Sequence, residues 1–342
     1  MNELHEYFYL EEDKMKLGIV GSGMIVGDLL SFIFNIKDIE LIHISGTQRS
    51  EEKLKQIKEE YGFLRYSTHY EALLEDQEVD TIYVAIPNHL HYEYAKKALL
   101  ASKNVILEKP ITSTYEEALE LQTLAIQNHL FLWEAITNQY LPNYQKIKDL
   151  LPQLGDIKII ECNYSQYSSR YDAFKKGDIK PAFDYKKSGG ALMDLNIYNI
   201  HFIVGLFGKP ETIDYYPNIE NHIDTSGILI LGYPTFKCVC IGAKDCQAPL
   251  SNTIQGDKGC IKVTTPLSII ESIEFTMNKS RKEVMNINHD IHRMYDEFVA
   301  FEDMCVHQDY QRCYDMLEHS MNVIYVLTTA RKKAGIIFPA DQ

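Results

Sequence analysis

Lys16 to Val20 is a short apolar run that breaks into Gly21-Ser-Gly23-Met-Ile-Val-Gly27, and a helical pattern with Ile25, Leu29, Phe32 and Ile33 apolar follows. A strand, a glycine turn and a helix in direct succession constrain the fold more than any other stretch of the chain. A turn this tight needs a residue without a Cβ, supplied by Gly21. A backbone that must approach a pyrophosphate closely needs a second, supplied by Gly23, with the anion on the helix amino terminus. Met24 and Ile25 open that helix and join the two glycines as cofactor-contact candidates. The third glycine of G-x-G-x-x-G is displaced: Val26 stands in its slot and Gly27 follows one later. Helix–strand packing is therefore expected to differ slightly.

The β-rich runs that follow alternate with helical patterns, the signature of βαβ units and a doubly wound parallel sheet. The second strand, Ile39 to Ser45, leads into Gly-Thr-Gln-Arg-Ser, with no Asp or Glu between Leu41 and Ser50 to hold a ribose 2′-hydroxyl. Ser45, Thr47 and Arg49 offer hydroxyls and a guanidinium instead, which favours NADP over NAD because Arg pairs bidentately with phosphate. The strand Val79 to Ile86 ends in Pro87-Asn88, so Ile86, Pro87 and Asn88 are placed beside a nicotinamide ribose. His91, at the next helix start, reads equally as a cofactor contact or as a structural histidine. The stretch Asn104 to Thr112 then delivers Glu108-Lys109-Pro110 to the carboxyl end of a further strand, where open α/β sheets bind ligands. Glu108 and Lys109 are cofactor-side candidates, and Lys109 is also a candidate for chemistry.

The alternation runs through the strand Leu130 to Ala135 and stops by Pro152 to Asp156. Beyond it come strands rich in aromatic and β-branched residues: Lys158 to Tyr167, Ile228 to Leu231, Lys237 to Ile241, Ser251 to Gln255, Cys260 to Val263 and Ile269 to Thr276. They predict a mostly antiparallel open sheet, and a final helix is predicted from about His319 to Ala334. The fold class is thus α/β. Residues 15–135 form the nucleotide domain and 136–342 a second α/β domain for substrate and dimerisation, whose last helix can pack back on the first. With 342 residues, two domains are the natural division.

The net charge of −14 argues against a nucleic-acid or anionic-membrane surface, and no apolar run near 18 residues suggests a transmembrane helix. Residues 1–14 are acidic and aromatic, without the basic start and apolar centre of a signal peptide, and read as an extension or an upstream start. Seven cysteines, an odd number, read as reduced thiols of a cytoplasmic protein, and their spacing suggests no metal site.

A second constellation lies in Ser188-Gly-Gly-Ala-Leu-Met-Asp194-Leu-Asn-Ile-Tyr198-Asn-Ile-His201. Helical spacing puts Asp194, Tyr198 and His201 on one polar stripe of an otherwise apolar helix. Such a stripe must be bonded internally or face a cavity. Aromatic residues around Tyr164 to Tyr171 and at Phe183 and Tyr185 read either as pocket lining or as loop packing.

Together, Gly21-Ser-Gly23, Ala85-Ile-Pro87-Asn88 with His91, Glu108-Lys109-Pro110 and Gly189-Gly-Ala-Leu-Met-Asp194 with Tyr198 resemble the Gfo/Idh/MocA family of nicotinamide-dependent oxidoreductases. The resemblance spans about Lys16 to Pro339. It implies a Rossmann domain followed by an α/β domain whose open sheet often forms a dimer interface, here a homodimer or tetramer. It also implies that Lys109 is the catalytic lysine, that Asp194 lines the substrate pocket and that Tyr198 is the acid/base. Hydride would pass between the C4 of NADP or NAD and a carbinol or carbonyl carbon of a sugar, polyol or similar small hydroxy compound. In that scheme Lys109 tunes Tyr198, and His201 relays the proton or holds the substrate. Asn196, where many members have Gly, leaves the local pocket shape open. Two rival functions are a non-catalytic NAD(P)-binding regulator and an enzyme of epimerase or glycosidase type that keeps its cofactor tightly bound.

Overall fold

The computed structural model describes residues 14–342; residues 1–13, and with them nearly all of the expected N-terminal extension, lie outside the described residues. Six strands form one all-parallel sheet: β1 (Met15–Val20), β2 (Ile39–Ser45), β3 (Arg65–Ser67), β4 (Thr81–Val84), β5 (Asn104–Glu108) and β6 (Leu132–Ala135). Their order is β3-β2-β1-β4-β5-β6. Helices cover both faces, so β4 and β6 are buried along their whole length and read as continuous rather than alternating apolar runs. Strand order reverses between β1 and β4, which opens a crevice at their carboxyl ends.

The remaining strands are β7 (Ile157–Ser165), β8 (Thr212–Glu220), β9 (Ile223–Gly232), β10 (Lys237–Ala243), β11 (Asn252–Gly256), β12 (Gly259–Val263), β13 (Ile273–Met277) and β14 (Glu283–Met285). They form an 8-stranded sheet in the order β14-β13-β12-β11-β7-β10-β9-β8. Only β7 and β10 pair in parallel, so the molecule has the anticipated α/β class with a mostly antiparallel second sheet. Burial is one-faced. On β10 the thiols of Cys238 and Cys240 point inward with Cys162 of β7, all three free and buried.

The sequence pattern missed β8. This edge strand is largely polar and carries Pro217, which an edge tolerates because one of its sides has no partner. The last helix is also longer than expected, Tyr310–Lys333, because its first turns are polar and start at Asp309, whose carboxylate accepts the Arg312 N–H at 3.1 Å. The segment Tyr185–Phe207 reaches a mean hydropathy of 1.3, yet 72% of that window is buried inside the protein. It is a core helix.

Tyr310–Lys333 packs on β6, on the helix Tyr115–Gln127 and on β8, and so touches both sheets. Near its end the buried Arg331 donates to the carbonyls of Ile336 (3.0 Å) and Ser113 (3.2 Å) and pairs with both oxygens of Asp341, at 2.9 Å to Oδ1. Removing one partner of a buried ion pair leaves the other charge uncompensated. Asp341→Ala is therefore expected to destabilise the fold by about 3–5 kcal/mol, read by urea unfolding against the parent chain.

Candidate functional site

The glycine turn sits against the end of β4. Gly21 has φ +124°, and a Cβ there would stand 2.2 Å from the Ala85 carbonyl oxygen. Only glycine satisfies both conditions. Above Gly23 the space is open, and Met24 at the turn is 74% exposed. Ile25 is half-buried against the sheet. At the end of β2, Ser45 is buried, with its hydroxyl directed to the His69 carbonyl (3.3 Å) and receiving the Ser67 hydroxyl (3.1 Å). It is pinned within the strand ends rather than offered to a ligand. Thr47 and Ser50 cap the turn between them. Arg49 is exposed and has no ion-pair partner among the described residues. Lys53, four residues on, reaches back to the Ser22 carbonyl, so a second cation flanks the turn. Sequence reasoning overlooked Lys53, although its i,i+4 spacing from Arg49 was the available signal. A cradle that needs glycine, open space above it and two flanking cations fit a dinucleotide phosphate.

His91 does not face this crevice. It is fully buried, with Nδ1 2.8 Å from the Pro110 carbonyl oxygen and Nε2 2.9 Å from that of Ile86. It braces the loops after β4 and β5, and both ring nitrogens are occupied by backbone. Ile86 and Pro87 lie at the crevice edge. The Asn88 side-chain amide donates to the Ser188 carbonyl at 3.0 Å, tying the first sheet to the chain before Gly189. Glu108 turns under the site, where it accepts the Tyr83 hydroxyl at 2.5 Å and the Lys109 N–H at 3.2 Å. Burial pushes its carboxyl up from the ordinary value.

Lys109 follows β5, and its peptide to Pro110 is cis. Its Nζ donates to the Asp194 carbonyl (2.9 Å) and to Asp194 Oδ1 (3.2 Å), and lies 4.9 Å from the centre of the Tyr198 ring. Burial pulls the ammonium down, but the surrounding Tyr198, Asp194 and Glu108 outweigh it and hold its pKa above the ordinary lysine value. Burial likewise opposes ionisation of Asp194, yet Lys244 and Lys109 together hold that carboxyl well below the usual range. Lys109 is thus held protonated and Asp194 ionised beside the Tyr198 ring. The Arg293 guanidinium is near enough to feel the Tyr198 side chain electrostatically, and Tyr164 of β7 stands 6.0 Å from Tyr198, ring to ring. Tyr171, Phe174 and Phe183 stack on one another, so these aromatics are loop packing.

Local structure explains the double glycine. A Cβ on Gly189 would lie 2.6 Å from the Pro181 carbonyl oxygen, and one on Gly190 (φ +106°) 2.1 Å from Asp224 Oδ1. Asp224 also accepts the Leu192 N–H at 2.6 Å, at the start of a π-helical turn over Leu192–Asn196. That turn corrects the expected single stripe. One extra residue per turn shifts Asp194 relative to the helix Ile197–Phe207, and such turns recur at functional sites. Asn196 points into the second sheet, where Gly242 makes room: a Cβ there would meet Asn196 Cβ at 2.7 Å.

His201 is also corrected. It is fully buried, with Nδ1 2.9 Å from His319 Nε2 and Nε2 3.5 Å from Glu134 Oε2. No hydrogen bond or ion pair joins it to Lys109, Asp194 or Tyr198 among the described residues. It faces β6 and the helix Tyr310–Lys333, because the polar stripe divides between the pocket and that helix. Lys244 and Arg293 were not anticipated. They lie far from the motifs in sequence, and no local pattern marks them.

The profile described as "Oxidoreductase family, NAD-binding Rossmann fold" matches residues 15–136, and the one described as "GFO/IDH/MocA C-terminal domain" matches 144–262. The chain is 29% identical over 330 residues to scyllo-inositol 2-dehydrogenase (NADP(+)) IolU of Bacillus subtilis (strain 168), covering 96% of this chain and 99% of that protein. It is 25% identical over 347 residues to trans-1,2-dihydrobenzene-1,2-diol dehydrogenase of Mus musculus, covering 96% and 99%. Among solved structures, the 3-ketoreductase KijD10 of Actinomadura kijaniata with NADP and TDP-benzene superposes with TM-score 0.82, at 20% identity over 93% of this chain and 97% of that one. At that identity the likeness concerns the fold.

Because the buried His91 ring donates its N–H to a backbone carbonyl in the core, His91→Leu is expected to cost about 1–3 kcal/mol of stability, measured by denaturant titration. Unchanged stability would show that the loops are held without it.

Proposed function

The chain belongs to the Gfo/Idh/MocA family and is an NAD(P)-dependent oxidoreductase acting on CH–OH groups, and from that premise we propose that Tyr198 is its acid/base and Lys109 the cation that assists it. The observation that carries this reading is the bonding of the Lys109 ammonium. It has three N–H donors, two of which go to Asp194, and one remains for a substrate oxygen beside the Tyr198 ring. A bound dinucleotide supplies the carbon that takes or gives the hydride. In the oxidative direction Tyr198 enters as the phenolate and takes the substrate hydroxyl proton, the carbinol C–H bond breaks with its electron pair passing to the dinucleotide carbon, and the carbonyl forms. The negative charge shared between the substrate oxygen and the phenolate through this step faces the Lys109 ammonium, which its bonds to Asp194 hold in place before reaction. Asp194 stays ionised and orients Lys109 rather than taking the proton.

NADP is favoured over NAD. The support is the acid-free end of β2 together with Arg49 and Lys53 at the glycine turn, a donor set suited to a 2′-phosphate. Beside Asp194 lies a cavity of about 180 Å³, lined also by Pro87, Asn88, Ala182, Lys187 and Gly189. The names of the relatives, an inositol dehydrogenase and a dihydrodiol dehydrogenase, put ring compounds with vicinal hydroxyls first in a panel with sugars and polyols. Homodimerisation is proposed through the outer face of the 8-stranded sheet, where Ile159, Tyr216 and Ile228 are exposed.

With a substrate from that panel, Tyr198→Phe and Lys109→Ala are each expected to lower kcat at least about a hundredfold while NADP+ still binds, followed by NADPH absorbance and cofactor titration. Near-parent turnover in both would sink the assignment. Arg49→Ala combined with Lys53→Ala is expected to weaken NADP+ at least about tenfold and NAD+ far less, measured as Kd. Ile228→Lys is expected to shift the protein towards monomer in light scattering.

A further inference from the structure

Asp194 holds two ammonium groups, and only one has a role so far. Lys244 follows β10 directly. Its Nζ donates to Asp194 Oδ2 at 2.7 Å and to the Ala182 carbonyl at 2.6 Å, and stands 4.4 Å from the centre of the Phe183 ring. The residue is 2% exposed. Lysine is among the side chains least often buried so completely, and it persists there only when paired and hydrogen-bonded. Two of the groups that hold it, Ala182 and Asp194, are walls of the same cavity.

We propose that Lys244 is a positioning residue for the hydride-transfer site: by occupying Oδ2 of Asp194 it confines Lys109 to Oδ1 and leaves Lys109 a donor for the substrate. This rests on the reading of Lys109 and Tyr198 as the pair that handles the proton. A carboxylate offers two oxygens, and here each serves one lysine. With Lys244 gone, the freed oxygen has Lys109 as its remaining ammonium partner and draws it from the Tyr198 ring. The half-buried carboxylate, left with one cation, also takes up a proton more readily, because desolvation opposes its charge and Lys244 no longer offsets it. The first change draws Lys109 from the substrate, and the second weakens the ion pair that orients it.

The charged groups around this pair are few. Lys109 and Lys244 face Asp194, and Arg170 and Lys187 stand on the cavity wall. Asp224, on β9, is the further carboxylate that feels Lys244. The Ala182 bond has a second effect: that carbonyl also accepts the Gly190 N–H at 3.1 Å, so the cavity wall and the turn that carries Asp194 are held as one unit.

The test compares Lys244→Met, which removes charge and donors, with Lys244→Gln, which removes the charge and keeps an N–H for Ala182. Both are measured as full-length protein with NADP+ on the best substrate of the panel. Both variants are expected to lose kcat at least about tenfold with little change in NADP+ Kd. Their kcat is expected to fall towards acid pH as Asp194 protonates, at pH values where the parent profile stays flat. Lys244→Arg, which keeps the charge, is expected to recover the flat profile. Parent-like kcat and pH profile in Lys244→Gln would overturn the role, as would a loss of activity that tracks a lower Tm with no change in the pH profile. If Lys244→Met does not fold, Lys244→Gln carries the same measurement. Turnover that survives Tyr198→Phe and Lys109→Ala would instead defeat the reading of the site itself, so the two failures are told apart.

Discussion

The ion pair between Lys109 and Asp194 is the contact on which the rest of the site depends. It joins the carboxyl end of β5 in the parallel sheet to a π-helical turn packed on the 8-stranded sheet, at 3.2 Å. Neither group is useful alone. A partly buried ammonium without its carboxylate would hold its proton less firmly, and a partly buried carboxylate without its ammonium would gain one more readily. Together they stay charged in a place that disfavours charge, which gives the site a fixed field around Tyr198.

Much of the surrounding structure keeps those two ends in register. His91 bonds the loops after β4 and β5, and Glu134 of β6 accepts the Ile111 N–H at 2.9 Å just beyond Pro110. Asn88 holds the Ser188 carbonyl, and the hydroxyls of Ser113 and Ser188 meet at 2.6 Å. Arg331 reaches the Ser113 carbonyl from the last helix. These contacts cross between chain segments far apart in sequence, so the lysine sits on a turn braced from several sides. His201 belongs to this support. Bonded to His319 and beside Glu134, it packs the back of the Asp194 helix against β6.

Charge is distributed unevenly in this acidic protein. The cations of Lys109, Lys244 and Arg293 converge on one ionised carboxylate and one phenol. The carboxyls beneath them, Glu108 and Glu297, are pushed up by burial and, at Glu297, also by the neighbouring Glu108, which favours their neutral form.

The sequence by itself determined the features that rest on local chemistry. Glycine is required at Gly21 by a positive φ and a 2.2 Å approach, and at Gly189 and Gly190 by the chain crossing beside them. The parallel sheet was legible from buried β-rich runs between helices, and Lys109, Asp194 and Tyr198 from the motifs that carry them. Tertiary structure alone decided which polar groups meet. Helical periodicity could not show a π turn at Asp194, nor that His201 and His91 spend their ring nitrogens in the core. Ser45 looked available from its strand-end position and is pinned by Ser67 and His69. Lys244 and Arg293 carried no local signal, because a buried cation is specified by the carboxylate, carbonyl or phenol that folding brings to it. Those partners lie 50 residues away for Lys244 and its aspartate, beyond any periodicity that a chain can display.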